Sequence, residues 1–293
     1  MKQQLKIWLQ AARPKTLPAA ISPVLIGLVM ALANGAFHLL IAAVTLICAV
    51  LIQVGTNIAN DYFDFIKGSD SGNRLGPVRV TQAGLMPPKK VKRAFIIVFA
   101  LAALFGLILI WRGGWIILAI GVVSIASGIL YTAGPLPLAY IGISDLFVLI
   151  FFGLVAVAGT YYLQTLSIEP AVLIASLAPG LFATAILTVN NLRDIHTDRQ
   201  AGKKTLAVRF GANFVRYEYL IAIVIACSIP IILVILTRQH YFSLLATTTF
   251  LFAIPAIKSV FRDAIDRGLN RTLAGTGRLL LIYSLLFSIG WLL

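Results

Sequence analysis

The amino-acid sequence predicts an all-α, polytopic membrane protein, and three observations carry that reading. Hydrophobic residues make up 60% of the 293-residue chain and charged residues only 12%, with a mean hydropathy of +0.96. Soluble domains average roughly 25% charged residues, so the chain falls outside that class. Apolar stretches long enough to cross a bilayer recur along its whole length. Lys and Arg, finally, crowd into alternate loops. No contiguous polar block is long enough for a large soluble domain, so a single transmembrane domain over 1–293 is expected.

About nine hydrophobic segments are expected: 18–34, 37–59, 94–111, 114–131, 144–163, 170–192, 217–236, 241–258 and 274–293. Ahead of the first, "LKIWLQAA" (Leu5 to Ala12) has the make-up of an amphipathic helix lying along a membrane surface. Pro18 and Pro23 interrupt the first segment and no small-residue cleavage site follows, so it reads as a retained span and not a signal peptide. The second runs directly into an Asn/Asp cluster. The third and fourth are separated only by "RGG" (Arg112 to Gly114), a tight connection. The sixth ends in another Asn/Asp cluster, and the ninth stands outside the pattern of the first eight. Cys48 and Cys227 both sit inside apolar runs, where buried inert thiols are expected and a disulfide framework is not.

With these spans, one set of alternate loops and ends holds 21 Lys and Arg, whereas the other holds only Arg112 and Arg238; Arg278 falls inside the last span. The positive-inside rule then orients the chain with its N-terminus in the cytoplasm. Most of the net charge of +14 is therefore topological signal and attraction to anionic lipid headgroups. No nucleic-acid partner is needed to explain it.

The two longest basic loops share a beginning. "NIANDYFD" (Asn57 to Asp64) opens the first and "NNLRDIHTD" (Asn190 to Asp198) the second, each with N-x-x-x-D. Basic residues follow in both: Arg74 and Arg79, then Lys203, Lys204 and Arg209. The spacing suggests a four-helix unit duplicated as pseudo-repeats at about 18–131 and 144–258, with a final helix at 274–293. If the helices continue through the clusters, Asn57, Asp61 and Asp64 share one face, as do Asn190, Asp194 and Asp198.

Carboxylates gathered at helix ends near lipid repel one another and call for a cation. Oxygen ligands without a His or Cys cluster favour a hard ion, Mg²⁺ or Mn²⁺. Mg²⁺ typically takes only one or two carboxylates and fills its shell with phosphate oxygens and water. Nearby Lys and Arg suit a phosphate ligand bridged by the metal. A single Asp beyond a span is an ordinary solvated loop charge; five of the ten acidic residues in two matched clusters are not. Asp70, beyond a Gly, reads either as the end of the first motif or as a helix terminator. A polyprenyl diphosphate has a tail that prefers the bilayer and a headgroup that prefers such a cluster. Metal would stabilise the leaving diphosphate, and a water-poor pocket would protect the allylic cation from capture. The abundance of Phe, Tyr and Trp supports that pocket only weakly, because lipid-facing surfaces and interface belts use the same residues.

These stretches resemble the UbiA superfamily of intramembrane prenyltransferases. The resemblance is carried by "ARPKTLPAA" (Ala12 to Ala20), "NDYFDFIKGSD" (Asn60 to Asp70), "GPVRVTQAG" (Gly76 to Gly84), "GTYYLQ" (Gly159 to Gln164), "NNLRDIHTDRQAGKKTLAVRFG" (Asn190 to Gly211) and "LNRTLAGTGRLLLIY" (Leu269 to Tyr283), and it covers nearly the whole chain. It implies a bacterial inner-membrane enzyme that joins a polyprenyl group to 1,4-dihydroxy-2-naphthoate with loss of CO₂ and diphosphate, giving demethylmenaquinone. It further implies that Asp61, Asp64, Asp194 and Asp198 are catalytic and bind Mg²⁺, with Asp70 at the motif's end. Diphosphate contacts are implied for Asn57, Asn60, Arg79, Asn190 or its neighbour Asn191, Lys203 and Lys204. Arg13 and Lys15 are candidates for the acceptor carboxylate, although positive-inside anchoring explains them as well. Tyr131 is a pocket candidate: the superfamily places Lys four residues after this Tyr, whereas here Pro135 follows. His196 lies inside the second motif, but no general base stands out, and no obligate protein partner is implied.

Three alternatives use the same features differently. A transporter also combines internal repeats with intramembrane carboxylates, but tends to bind at the midplane on broken helices. Another superfamily member would use a 4-hydroxybenzoate or homogentisate acceptor. An intramembrane alcohol phosphotransferase would carry D-x-x-D-G-x-x-A-R, which this chain lacks.

Overall fold

A computed structural model describes residues 2–68, 75–135, 137–262 and 264–293. Among these residues every regular element is helical. In chain order they are α1 (Lys2–Ala12), α2 (Leu17–Ala33), α3 (Leu39–Ile66), α4 (Pro88–Leu130), α5 (Leu138–Ile141) and α6 (Ser144–Leu149). A π-helical stretch, Ile150–Val155, joins α6 to α7 (Ala156–Thr165). There follow α8 (Pro170–Arg193), α9 (Ile195–Gln200), α10 (Leu206–Thr237), α11 (Thr249–Arg262), entered through 3₁₀ turns at Tyr241–Thr248, and α12 (Leu269–Leu292). Asp70 and Arg74 lie outside the described residues.

Eight of these helical stretches are long and apolar enough to cross a membrane, and the chain is a multi-pass membrane protein. The difference from nine expected segments lies at one joint. α4 runs for 43 residues, but Gly114 adopts φ 71° and ψ −156° within it. That region of backbone space is open almost only to glycine, and it reverses the chain. Both arms then pack against α3: a Cβ added at Gly128 would meet Thr56 and Phe99, and one added at Gly55 would also meet Phe99. Phe99 lies on the first arm and Gly128 on the second, so the arms run side by side.

α1 is an amphipathic helix as expected; part of its apolar side is covered by protein, while Leu5 and Leu9 stay exposed. Ile7 and Ala11 are buried in a cluster with Ile58, Val80 and Phe95. Arg13, at φ 52°, breaks the chain between α1 and α2. The larger core joins α2, α7, α8, α10, α11 and α12 around Phe182, Tyr219 and Tyr283. Close backbone approach makes part of it possible: Cβ atoms at Gly153 and Gly180 would collide with Ser176 O and Leu149 O. Both cysteines are buried and free.

Candidate active site

Asn57, Asp61 and Asp64 of the first acidic motif lie on α3 and share a face as the spacing requires. Asn57 and Asp61 mainly organise neighbouring chain. The Asn57 amide donates to Ala12 O (3.0 Å) and Thr16 Oγ1 (2.9 Å), and Gln53 also donates to Thr16 (3.1 Å), which pins the turn between α1 and α2 onto α3. Asp61 is 1% exposed and accepts from the backbone N–H groups of Val80 (2.9 Å) and Thr81 (3.0 Å). It does not line the cavity described below. This placement of Asp61 has a physical reason. Residues 79–86 fold into a tight turn around buried Val80, and its buried N–H groups need acceptors.

That turn carries Arg79, which donates to Asp64, itself 2% exposed. Asp64 thus faces the cavity with a guanidinium beside it. Asn60 accepts from Thr132 Oγ1 (2.9 Å), tying α3 to the turn after α4. Lys67 donates to Gly134 O (3.0 Å) and sits over the Tyr140 ring.

The second motif is broken at Asp194, which has φ −95° and ψ 8° and separates α8 from α9. Its oxygens accept from Arg193 Nε (2.8 Å) and Nη2 (2.5 Å). Arg193 is 1% exposed and also donates to Asn190 (2.7 Å) and Asn270 (2.8 Å). Asn270 in turn donates to Leu75 O (2.9 Å), so the start of α12 ties one motif loop to the other. Asp198 pairs with Lys203 at 3.2 Å. Burial lowers the Lys203 pKa, but Asp198, Asp64 and Tyr140 outweigh it and hold the ammonium above its ordinary value. Lys203 therefore lies in the field of both motifs, with its Nζ over the Tyr140 ring.

One cavity of about 1090 Å³ gathers most of the expected residues. Asn57, Asn60, Asp64 and Arg79 line it from the first motif, and Asn190, Asp194, Asp198 and Lys203 from the second. Arg13, Lys15 and Tyr131 line it as well, and Tyr131 lies within electrostatic reach of Asp64, Asp198 and Arg13. Lys204 does not join them: its side chain is exposed, while its backbone N–H donates to Tyr140 O (3.0 Å). His196 is exposed. Two lining residues, Arg193 and Asn270, matter more than the sequence indicated. Arg193 passes for an ordinary loop charge beside the motif. Asn270 lies 76 positions from Asp194, and only its quoted motif stretch draws attention to it. Asn191 is 4% exposed, and its Nδ2 has no hydrogen-bond partner. A buried unsatisfied amide costs roughly 1–3 kcal/mol, so it awaits an acceptor in the cavity.

Among the described residues, no three His, Cys, Asp or Glu side chains are close enough to hold one ion. The donor set nevertheless fits a hard cation. Asp64 and Asp198 offer carboxylate oxygens from the two motifs, and a carboxylate paired with one cation keeps further lone pairs. The arrangement suits an ion that takes one or two carboxylates and completes its shell on phosphate, not an all-protein cage. Beyond the polar end the cavity is apolar, lined by Leu109, Ile117, Val148, Phe151 and Val155 among others.

The profile of the UbiA prenyltransferase family matches residues 20–291. The 1,4-dihydroxy-2-naphthoate octaprenyltransferase of Escherichia coli is 40% identical over 97% of this chain and 94% of its own length. The enzyme of that name from Mycobacterium tuberculosis is 38% identical over 95% and 94%. Among solved structures, a UbiA homolog from Archaeoglobus fulgidus bound to GPP and Mg²⁺ superposes with a TM-score of 0.69 at 14% identity, covering 98% of this chain and all of the other.

Proposed function

The chain belongs to the UbiA prenyltransferase family, and on that premise we propose that it transfers a polyprenyl group from polyprenyl diphosphate to 1,4-dihydroxy-2-naphthoate, with loss of CO₂ and diphosphate, to form demethylmenaquinol, the hydroquinone form of demethylmenaquinone. One observation carries the reading: two Asp motifs distant in sequence converge around Lys203 at the polar end of an otherwise apolar cavity. The similarity to enzymes named for the naphthoate acceptor selects the substrate.

Asp64 and Asp198 would hold Mg²⁺ or Mn²⁺, with Asp194 in the same cavity lining and Asp61 bracing the Arg79 turn. The ion, when bound, neutralises charge developing on the leaving diphosphate. Arg79 and Lys203 supply fixed positive charge to the phosphate oxygens, and the Asn191 amide gains its missing acceptor there. The C–O bond of the allylic diphosphate breaks with its electron pair leaving on oxygen. The apolar wall excludes water, which would otherwise capture the allylic cation. The ring carbon bearing the carboxylate then attacks. Breaking its bond to the carboxylate releases CO₂ and returns that electron pair to the ring. No proton need be removed from the attacked carbon, so the chemistry does not require a general base, and exposed His196 has no part in it. Arg13 and Lys15, at the mouth, suit the acceptor carboxylate.

The Lys and Arg bias supports placing this end at the cytoplasmic face of the bacterial inner membrane, with the N-terminus on the same side. The pseudo-repeats 18–131 and 144–258 each supply one motif. Purified protein incubated with 1,4-dihydroxy-2-naphthoate, octaprenyl diphosphate and Mg²⁺ should yield a prenylated naphthoquinol lacking the carboxyl mass, read by mass spectrometry. Turnover with 4-hydroxybenzoate instead would replace the acceptor. No product with any aromatic acceptor, from protein shown to be folded, would reject prenyl transfer.

A further inference from the structure

The loops opposite the acidic motifs hold only two basic residues, Arg112 and Arg238, and Arg112 is not a simple membrane anchor. It is half-buried and donates to Leu163 O (3.2 Å) and Gln164 O (3.0 Å). Its Nη2 also lies 3.2 Å from His38 Nε2, which accepts because a guanidinium can only donate. Around it lies a second cavity of about 500 Å³, formed by the end of α2, the start of α3, the α4 reversal and the connection from α7 to α8. Asn34, His38, Arg112, Tyr161, Gln164 and Glu169 line this cavity, and none of them lines the larger one. α3 begins here and carries the first motif near its other end, about 35 Å away.

Tyr161 and Gln164 end the "GTYYLQ" stretch, and prenyl transfer at the motif end uses neither. Gln164 is 1% exposed, and its Oε1 accepts from the His38 N–H (2.6 Å), yet its Nε2 has no partner. Native structures rarely bury an amide without an acceptor. An amide and a guanidinium facing one space suit a phosphate oxygen. The same cavity also holds a carboxylate. Glu169 Oε1 accepts from Asn34 Nδ2 (2.8 Å) and from the buried Tyr161 hydroxyl (2.7 Å), which fixes the side chain in place. A simple anion would be repelled by Glu169, whereas a group carrying both phosphate and ammonium satisfies every one of these residues. The surroundings are apolar: Phe37, Leu39 and Leu40 are exposed, as are Trp111 and Trp115 on either side of the α4 reversal. Exposed Trp at span ends settles at the headgroup level of a bilayer.

We propose that this cavity binds the headgroup of an aminophospholipid of the phosphoethanolamine kind, in the leaflet opposite the acidic motifs. Arg112 and the Gln164 amide take phosphate oxygens, Glu169 takes the ammonium, and the acyl chains lie along Phe37, Leu39 and Leu40. The site stands independently of the prenyl-transfer reading, since it shares no residue with the motif end. A phosphoglycerol headgroup offers the phosphate but no cation for Glu169, so it binds more weakly.

The test titrates detergent-purified protein with dioleoylphosphatidylethanolamine or dioleoylphosphatidylglycerol and counts bound lipid by native mass spectrometry, for wild type, Gln164→Glu and Glu169→Gln. Both substitutions preserve shape. Gln164→Glu keeps an acceptor for the His38 N–H but replaces the amide donors with a carboxylate oxygen. Glu169→Gln keeps an acceptor for Asn34 and Tyr161 but removes the charge. Wild type should bind the ethanolamine lipid at least about tenfold more tightly than the glycerol lipid, the scale of one charge-assisted hydrogen bond. Gln164→Glu should weaken the ethanolamine lipid by at least about tenfold, and Glu169→Gln should bring the two lipids within about threefold of each other. Ethanolamine-lipid affinity equal to that of wild type in folded Gln164→Glu would overturn the site. If Gln164→Glu does not fold, Glu169→Gln decides: an unchanged preference between the lipids there, or no preference in wild type, would overturn the headgroup. Thermal stabilisation of wild type by free O-phosphoethanolamine equal to that by the lipid would overturn the lipid in favour of a soluble ligand.

Discussion

Asp61 and Asp64 are three positions apart on one helix face, yet the structure gives them different work. Asp61 accepts two backbone N–H groups of the Arg79 turn, while Asp64 faces the cavity beside the Arg79 guanidinium. Their variants should therefore separate. Asp61→Ala leaves two buried N–H groups without acceptors, each costing roughly 1–3 kcal/mol, and should lower the melting temperature. Asp64→Asn leaves the buried Arg79 guanidinium without its counter-charge and should also melt lower, but folded Asp64→Asn should lose prenyl transfer by at least about a hundredfold while folded Asp61→Ala loses far less; equal loss in the two folded variants would refute the division. Lys203 makes a second residue-scale prediction. Its folded pKa is raised, so the stability it contributes is fully present below the ordinary lysine value of about 10.4 and disappears as pH rises through the higher folded value. Melting temperatures of wild type and Lys203→Met should differ by a constant amount from pH 7 to about 9; a difference that vanishes within that window would show a lowered pKa instead. The acids and Lys203 were legible because rare charges in a greasy chain stand out. The division of labour was not: it depends on the chain path of residues 79–86, and Arg193, adjacent to the motif, resembles any other basic loop residue until its four hydrogen bonds are seen.

At the scale of elements, hydrophobic runs and Pro and Gly positions marked the spans closely, since apolar length alone decides where a helix can cross a bilayer. α3 runs past its apolar segment to Ile66, carrying Asn57, Asp61 and Asp64 in regular helix. The second motif does not follow suit: α8 stops at Arg193 and α9 begins afresh, so the regular i, i+4, i+8 face expected there is bent at Asp194. Side-chain capture of Asp194 by Arg193 accompanies the bend, and a periodicity argument has no means of finding it. The reversal within α4 was legible as the "RGG" connection, but not the conformation behind it. Because Gly114 combines positive φ with an extended ψ and a Cβ there would touch nothing, its substitution isolates backbone strain. Gly114→Ala should destabilise the folded protein by about 1–3 kcal/mol, read as a lower melting temperature in detergent, while the affinity for Mg²⁺ and diphosphate at the distant motif end stays within about twofold. A melting temperature at or above that of wild type would show that the joint does not need glycine.

At the scale of the whole molecule, two motifs separated by nearly half the chain are held in one site by contacts that neither contains. Asn270, at the start of α12, accepts from Arg193 and donates to Leu75 O, bridging the second motif to the loop after the first. The turn between α1 and α2 closes another side through Asn57. Composition and motif duplication made the enclosing architecture and the convergence expected, whereas long-range bridges of this kind leave no local pattern in a single sequence. The central claim is that metal and diphosphate are held between Asp64 and Asp198, with Lys203 in the field of both. The most direct measurement is the equilibrium affinity of detergent-purified protein for a polyprenyl diphosphate with Mg²⁺ and with EDTA, for wild type, Asp64→Asn, Asp198→Asn and the double variant. The account requires binding that depends on Mg²⁺, weakens by at least about a hundredfold in either single variant, and falls no further in proportion in the double. Full affinity in the double variant, or binding indifferent to Mg²⁺, would contradict it.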